Sequence, residues 1–164
     1  MSAFPLQSLG QSALLQRNFA SAETFYARAV EVNEKFYGEG SDRVAESLLY
    51  LAVVPSMQKQ YDKAETYMLR SLKIDESVFG ADSEEVLFPL ANLCVLYDHW
   101  EKPEKTESCQ NRTLGILEKK YGSTSPVLLS TLAGEAKALR SLGRKDEAAQ
   151  MEKRMESIRA VKPN

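Results

Sequence analysis

The chain has 164 residues, 43% of them hydrophobic, and sets 21 Lys and Arg against 23 Asp and Glu for a net charge of −2. That length and apolar share suffice for a packed core, whereas the lack of a positive field argues against nucleic acid or an anionic membrane as partner. The longest apolar runs, such as LAVV at 51–54, reach four or five residues, far short of the roughly 20 that cross a bilayer.

The N-terminal stretch MSAFPLQSLGQSALLQRN has no charged segment leading into an apolar core and a small-residue cleavage site, so no secretion leader is expected. The next stretch, FASAETFYARAVEVNEKFYG at 19–38, returns as YDKAETYMLRSLKIDESVFG at 61–80. Phe19 and Tyr61, Ala22 and Ala64, Glu23 and Glu65, Arg28 and Arg70, Glu34 and Glu76, Gly38 and Gly80 all lie 42 residues apart. Another step reaches Glu107, Arg112, Glu118 and Gly122, and a last one carries Glu104 and Thr106 onto Asp146 and Ala148. A period in this range marks stacked supersecondary units. The units run approximately 3–40, 41–82, 83–124 and 125–160, within a single domain over 1–164.

Each unit reads as two helices. Ala22, Tyr26, Ala29 and Val30 in the first unit, and Leu87, Leu90, Leu93, Cys94 and Tyr97 in the third, recur at three and four residues. Small residues at Ala52, Ala64, Cys94, Ala136 and Ala148 let paired helices approach closely. Gly38, Gly80 and Gly122 each precede by three residues a serine, Ser41, Ser83 or Ser125: a helix-ending glycine, then a residue suited to cap the next helix. Pro103 fits the first turn of a helix, where its missing N–H costs little. Pro55 falls near the end of one and is expected to bend its last turn.

The segments LAVVPSMQKQYDKAETYMLRSLKIDESVFG, LCVLYDHWEKPEKTE, RTLGILEKKYG and STSPVLL together resemble the tetratricopeptide repeat (TPR) family, in the 42-residue form typified by kinesin light chains. The resemblance covers nearly the whole chain and implies an all-α fold: an α-solenoid, a right-handed superhelix of about four TPR hairpins. Pro55 and Pro103 stand where the family pattern has aromatics, and serine replaces the histidine that usually follows the glycine turn.

No catalytic constellation accompanies this pattern. His99 is the single histidine, phosphate-loop and zinc-binding helix motifs are absent, and in DHWE at 98–101 the acid and imidazole are consecutive helix residues that point apart. No enzymatic activity, cofactor or metal is expected. Cys94, at a small-residue packing position, reads as a buried inert thiol and Cys109 as a residue at a non-packing position. Two cysteines make no disulfide framework, so a reducing compartment, the cytoplasm, is expected.

Stacked hairpins bind partners on an extended concave surface, and the resemblance places the first helix of each hairpin on it. The lining is then Phe4, Gln7, Gln11 and Leu14; Glu46, Leu49, Tyr50, Val53 and Met57; Phe88, Ala91, Asn92, Val95, Asp98 and His99; and Ser130, Ala133, Gly134, Lys137 and Arg140. Leu49, Tyr50, Val53, Met57, Phe88, Asn92, Val95, His99, Lys137 and Arg140 are the candidate partner-binding residues. Exposed apolar groups among them favour a protein or peptide, and Lys137 and Arg140, one turn apart, suggest a positive pole suited to a ligand with an acidic end. Asn92 matches the second asparagine of the kinesin light chain clamp for an extended peptide, while Ala91 replaces the first. Gln7, Gln11, Tyr50 and Phe88 hold the positions where chaperone-binding members carry a two-carboxylate clamp, which argues against a chaperone tail. The alternative role is self-association through Met151, Met155 and Ile158 of the last helix.

Overall fold

The computed structural model describes residues 3–160. Among them the chain forms eight α-helices and no strand: α1 (Phe4–Leu15), α2 (Phe19–Tyr37), α3 (Asp42–Met57), α4 (Tyr61–Phe79), α5 (Leu87–His99), α6 (Pro103–Tyr121), α7 (Leu129–Ser141) and α8 (Lys145–Ala160). Short 3₁₀ turns, Glu84–Val86 and Pro126–Leu128, lead into α5 and α7. The all-α series of helical hairpins read from the 42-residue period is the fold the chain adopts.

The turn inside each hairpin recurs in the same phase. Arg17, Lys59, Glu101 and Gly143 all have left-handed backbones, with φ of 58°, 59°, 55° and 77°. The residue after each donates its N–H across the turn, Asn18 to the Ala13 carbonyl, Gln60 to Pro55, Lys102 to Tyr97 and Arg144 to Leu139, at 2.8–3.0 Å. This is the Schellman closure of a helix end. Only the fourth turn places a glycine at the left-handed position, where a side chain costs about 1 kcal/mol. Lys59→Gly is therefore expected to raise the urea midpoint and add about 0.5–1 kcal/mol of stability. An unchanged or lowered midpoint would contradict that account of the turn.

Between hairpins, Gly38, Gly80 and Gly122 take φ of +87°, +96° and +83° with nothing within 4 Å of where a Cβ would sit. Backbone angle, not crowding, calls for glycine there. The serines that follow differ from expectation. Ser41, Ser83 and Ser125 occupy the position before the helical turn, but none caps it through its side chain, and the hydroxyls of Ser41 and Ser83 are buried without a hydrogen-bond partner. Their main chains do the work instead: each serine N–H donates to its glycine's carbonyl at 3.2–3.3 Å, and the Ser41 carbonyl accepts from Val44 and Ala45.

Close packing divides the chain into two compact units, Met1–Asn92 and Leu93–Asn164, with the boundary inside α5. In the first, α2 packs on α1 and α3, and α3 on α4. Its core joins Ala13, Ala22, Tyr26, Val30, Val44, Ala45, Leu48, Leu51, Val54 and Ile74. Buried polar groups tie the helices together: Asn33 Nδ2 donates to Ser47 Oγ at 2.7 Å and to the Arg43 carbonyl at 3.1 Å, and Ser71 Oγ donates to the Ala45 carbonyl at 2.9 Å. Pro55 is fully buried, and α3 continues past it to Met57. Asp75 is buried on α4; burial, then the charges of Asp42 and Glu85, push its carboxyl up to about 6.

In the second unit α7 packs on α6 and α8. Leu128, Leu132, Ala136, Leu139, Ala148 and Ile158 are buried, with Met151 against Ala136, Leu139 and Ala148. Arg144, immediately before α8, bonds Glu107 of α6 and Glu147 of α8, each at 2.6 Å, and Arg154 pairs with Glu118. Ile158 is thus part of the packing, and Met151 and Met155 are half-buried. Burial of Ile158 leaves the half-buried Met151 and Met155 as the accessible part of the apolar stripe expected to drive self-association through the last helix.

Candidate partner-binding surfaces

In the first unit, α1 and α3 carry an open groove of about 500 Å³ lined by Phe4, Gln7, Ser8, Gln11, Ser12, Leu15 and Tyr50. The α1 spacing sends Gly10 and Ala13 inward and leaves Phe4, Gln11 and Leu15 to solvent. Two amides, Gln7 and Gln11, lie among the groove's apolar and hydroxyl-bearing side chains. Gln7 Nε2 donates to Ser47 Oγ at 3.4 Å and Gln11 Oε1 accepts from Tyr26 OH at 3.2 Å, so both side chains are held in place. Tyr50 stacks on Tyr26, centroids 5.8 Å apart, and keeps its outer face exposed. Met57 and Phe88 are 54% and 64% exposed.

Two expected lining residues sit elsewhere. Leu49 is only 7% exposed and belongs to the packed side of α3. An α-helix turns 100° per residue, so neighbours of the buried Leu48 need only slight helix–helix overlap to be covered as well. Leu14 is half-buried against the core, and its neighbour Leu15, which the repeat register did not select, is the exposed one. Val53 and Asn92 are half-buried. Asn92 Nδ2 donates to the Phe88 carbonyl at 2.9 Å, which commits one of its two N–H groups to its own helix.

In the second unit, a groove of about 260 Å³ is lined by Cys94, Val95, Asp98, His99, Thr106, Gln110, Gly134 and Lys137. A Cβ at Gly134 would lie 2.4 Å from Gln110 Nε2, so a side chain there would push the flexible end of Gln110 aside. Val95 is 57% exposed and His99 is exposed. Lys137 and Arg140 are not the free positive pole expected. Lys137 Nζ meets the Asp98 carboxylate at 2.7 Å, and Arg140 pairs with Glu152. Both pairs are exposed, so the α5 and α8 carboxylates offset the local positive charge and compete with an incoming anion without removing it. Nearby, Lys105 Nζ lies 5.1 Å from the ring centroids of both Tyr97 and Trp100.

The cysteines are a further correction. Cys94 and Cys109 form a disulfide that joins α5 to α6, and Cys109 is buried rather than at an unpacked position. The argument for a cytoplasmic location from unpaired thiols falls with it. The separation of 15 residues gave no motif to recognise; only the pairing of α5 with α6 brings the two together. Among the described residues no cluster of side chains could hold a metal ion, and no helix is long and apolar enough to cross a membrane.

Helical hairpins repeated in one phase, with exposed apolar side chains on their first helices, define the class of α-solenoid repeat proteins. Residues 3–77 match the tetratricopeptide repeat family, and the same 42-residue phase and hairpin fold continue to α8. No curated protein sequence gives a significant match. Among solved structures, BtubC (BKLC) from P. vanneervenii is similar with a TM-score of 0.82 and 23% identity, over 99% of this chain and 66% of that one. A Podosopora anserina protein of nearly identical TPR-like repeats, described as a kinesin light chain, gives 0.81 and 16% over 96% of this chain and 75% of its own. RapI in its apo form gives 0.75 and 16% over 95% and 55%. The chain therefore spans slightly less than two thirds of BtubC, and identities this low establish the shared fold alone.

Proposed function

We propose that this protein is a non-catalytic docking module that takes a peptide or protein segment on the first helices of its hairpins. The observation that carries the reading is the exposure of large apolar side chains, Phe4, Leu15, Tyr50, Met57 and Phe88 in one unit and Val95 in the other, on first helices whose opposite sides are buried. Solvent-facing apolar groups set among fixed amides suit a partner with apolar side chains and an extended backbone to hydrogen-bond. The pairing of Lys137 and Arg140 weakens the reason for an acidic end, so the expected ligand is apolar and near neutral.

A library of random peptides displayed on phage tests this. Selected peptides are expected to be rich in aliphatic and aromatic residues and to bind Phe88→Asp at least about tenfold more weakly, since truncating an interface anchor commonly costs 1.4 kcal/mol or more. Phe88 is exposed, so the variant should keep its helical circular dichroism. Selected peptides that bind wild type, Phe88→Asp and Met57→Asp with equal affinity would remove the first unit's surface as the docking site.

A further inference from the structure

Three of the four hairpins carry a small residue on the first helix and a bulky one on the second at positions related by 42 residues: Gly10 and Phe25, Ala52 and Tyr67, Ala136 and Met151. The third has Cys94 and Cys109 at those two positions and joins them covalently, with Cα atoms 5.6 Å apart. Both are buried, and Cys94 Sγ lies 4.0 Å from Thr113 Oγ1 of α6. Two thiols fill less space than any of the small-and-bulky pairs. In the third hairpin a bond holds the helices together at the place where the others set a small residue against a bulky one, and without it this pair makes fewer apolar contacts than theirs.

We propose that the Cys94–Cys109 pair is a redox-controlled clasp that sets the order of the third hairpin. Cys94 borders the groove beside Val95 and His99 but is only 4% exposed, so a thiolate reaches its sulfur through a local opening of the hairpin. One thiolate of a dithiol reductant attacks the Cys94 sulfur, forming a mixed disulfide and releasing Cys109 as thiolate. The reductant's second thiol then closes its own disulfide and releases Cys94. Two electrons and two protons pass to the protein, and the reductant is oxidised to its cyclic disulfide. Bridged, α5 is held on α6; as a dithiol, the hairpin loosens. An effect on partner docking would rest on the function proposed above, whereas the clasp itself does not.

The test needs no partner. Hydrogen exchange of the whole chain is followed in oxidised protein and after reduction by dithiothreitol. Amides of α6 are expected to exchange at least about tenfold faster when reduced, with α2 and α4 unchanged. The Cys94→Ala/Cys109→Met variant restores the pair seen at Ala136 and Met151, and is expected to exchange as slowly as the oxidised wild type and to ignore reductant. Cys94→Ser/Cys109→Ser is expected to match the reduced protein. Alkylation and mass measurement across glutathione buffers should find the pair passing from bridged to dithiol within the series. Equal exchange before and after reduction overturns the proposal. So does a bridge that survives fully reduced glutathione, which would be a permanent staple, or two free thiols in oxidised glutathione.

Discussion

Replacing Tyr26 by alanine is expected to lower the stability of the first unit by about 3–5 kcal/mol, the largest loss from any single truncation there. The ring is wholly buried and fills the space that Gly10 leaves open, where a Cβ would come within 2.5 Å of it. Its removal would empty a cavity bordered by α1, α2 and α3, and at the same time strip Tyr50 of its stacking partner and Gln11 of a donor. The groove would change together with the core, because Tyr50 and Gln11 both line it. Tyr26→Phe keeps the volume and is expected to cost only about 1 kcal/mol, the worth of one hydrogen bond. Gly10→Ala tests the same contact from the other side and is expected to destabilise by about 1–3 kcal/mol through overpacking. Denaturant unfolding followed by circular dichroism measures all three. If Tyr26→Ala unfolded at the wild-type midpoint, Tyr26 could not be the keystone described.

Replacing Glu135 is expected to act in the opposite direction. Glu135 lies at the position that the two preceding hairpins give to Leu51 and Leu93, and like them it is buried. Its Oε2 has no hydrogen-bond partner. Burial pushes its carboxyl above the ordinary 4.5, as does Glu107 of α6, against Arg154; Glu118 and Arg144 make the smaller contributions. A group whose folded value is raised contributes stability that is complete below the unfolded value and is lost as pH rises through the folded one. Glu135 thus stabilises the second unit least at neutral and alkaline pH. Glu135→Gln, neutral at every pH, is expected to match wild type near pH 4 and exceed it at pH 8. Glu135→Leu restores the repeat's own residue and is expected to add about 1–3 kcal/mol at pH 8, since an unsatisfied buried polar atom costs that much. Thermal unfolding of the three proteins at both pH values decides the matter; a stability gap between Glu135→Gln and wild type that is the same at pH 4 and pH 8 would contradict the buried-charge account.

Much of the fold was legible in the chain, for reasons that particular residues display. Gly38, Gly80 and Gly122 announce the inter-hairpin turns because few other residues tolerate their backbone angles. The alternation of Leu90, Leu93, Cys94 and Tyr97 announces a helix and its buried side. The surface was less legible. Periodicity divides a helix into faces about 100° per residue apart, and Leu49 and Leu14 fell on the wrong side of that division by a fraction of a turn. Charge was the poorest guide. Lys137 and Arg140 read as a free positive pole until Asp98 and Glu152, 39 and 12 residues away in sequence, were brought beside them.

The sequence by itself determined the repeat, its 42-residue phase, the helical hairpins and the exposed apolar character of Phe88, Met57 and Val95, because each follows from local backbone preference and helical spacing. Only the tertiary structure decided that Cys94 and Cys109 are bridged, that Lys137 and Arg140 face carboxylates, that Ile158 is buried, and that Glu135 is buried with Oε2 unbonded in a place its repeat gives to leucine. These depend on which side chains of separate helices come within a few ångströms of each other. Distance in space sets bonding, screening and burial, and spacing along one chain does not fix it.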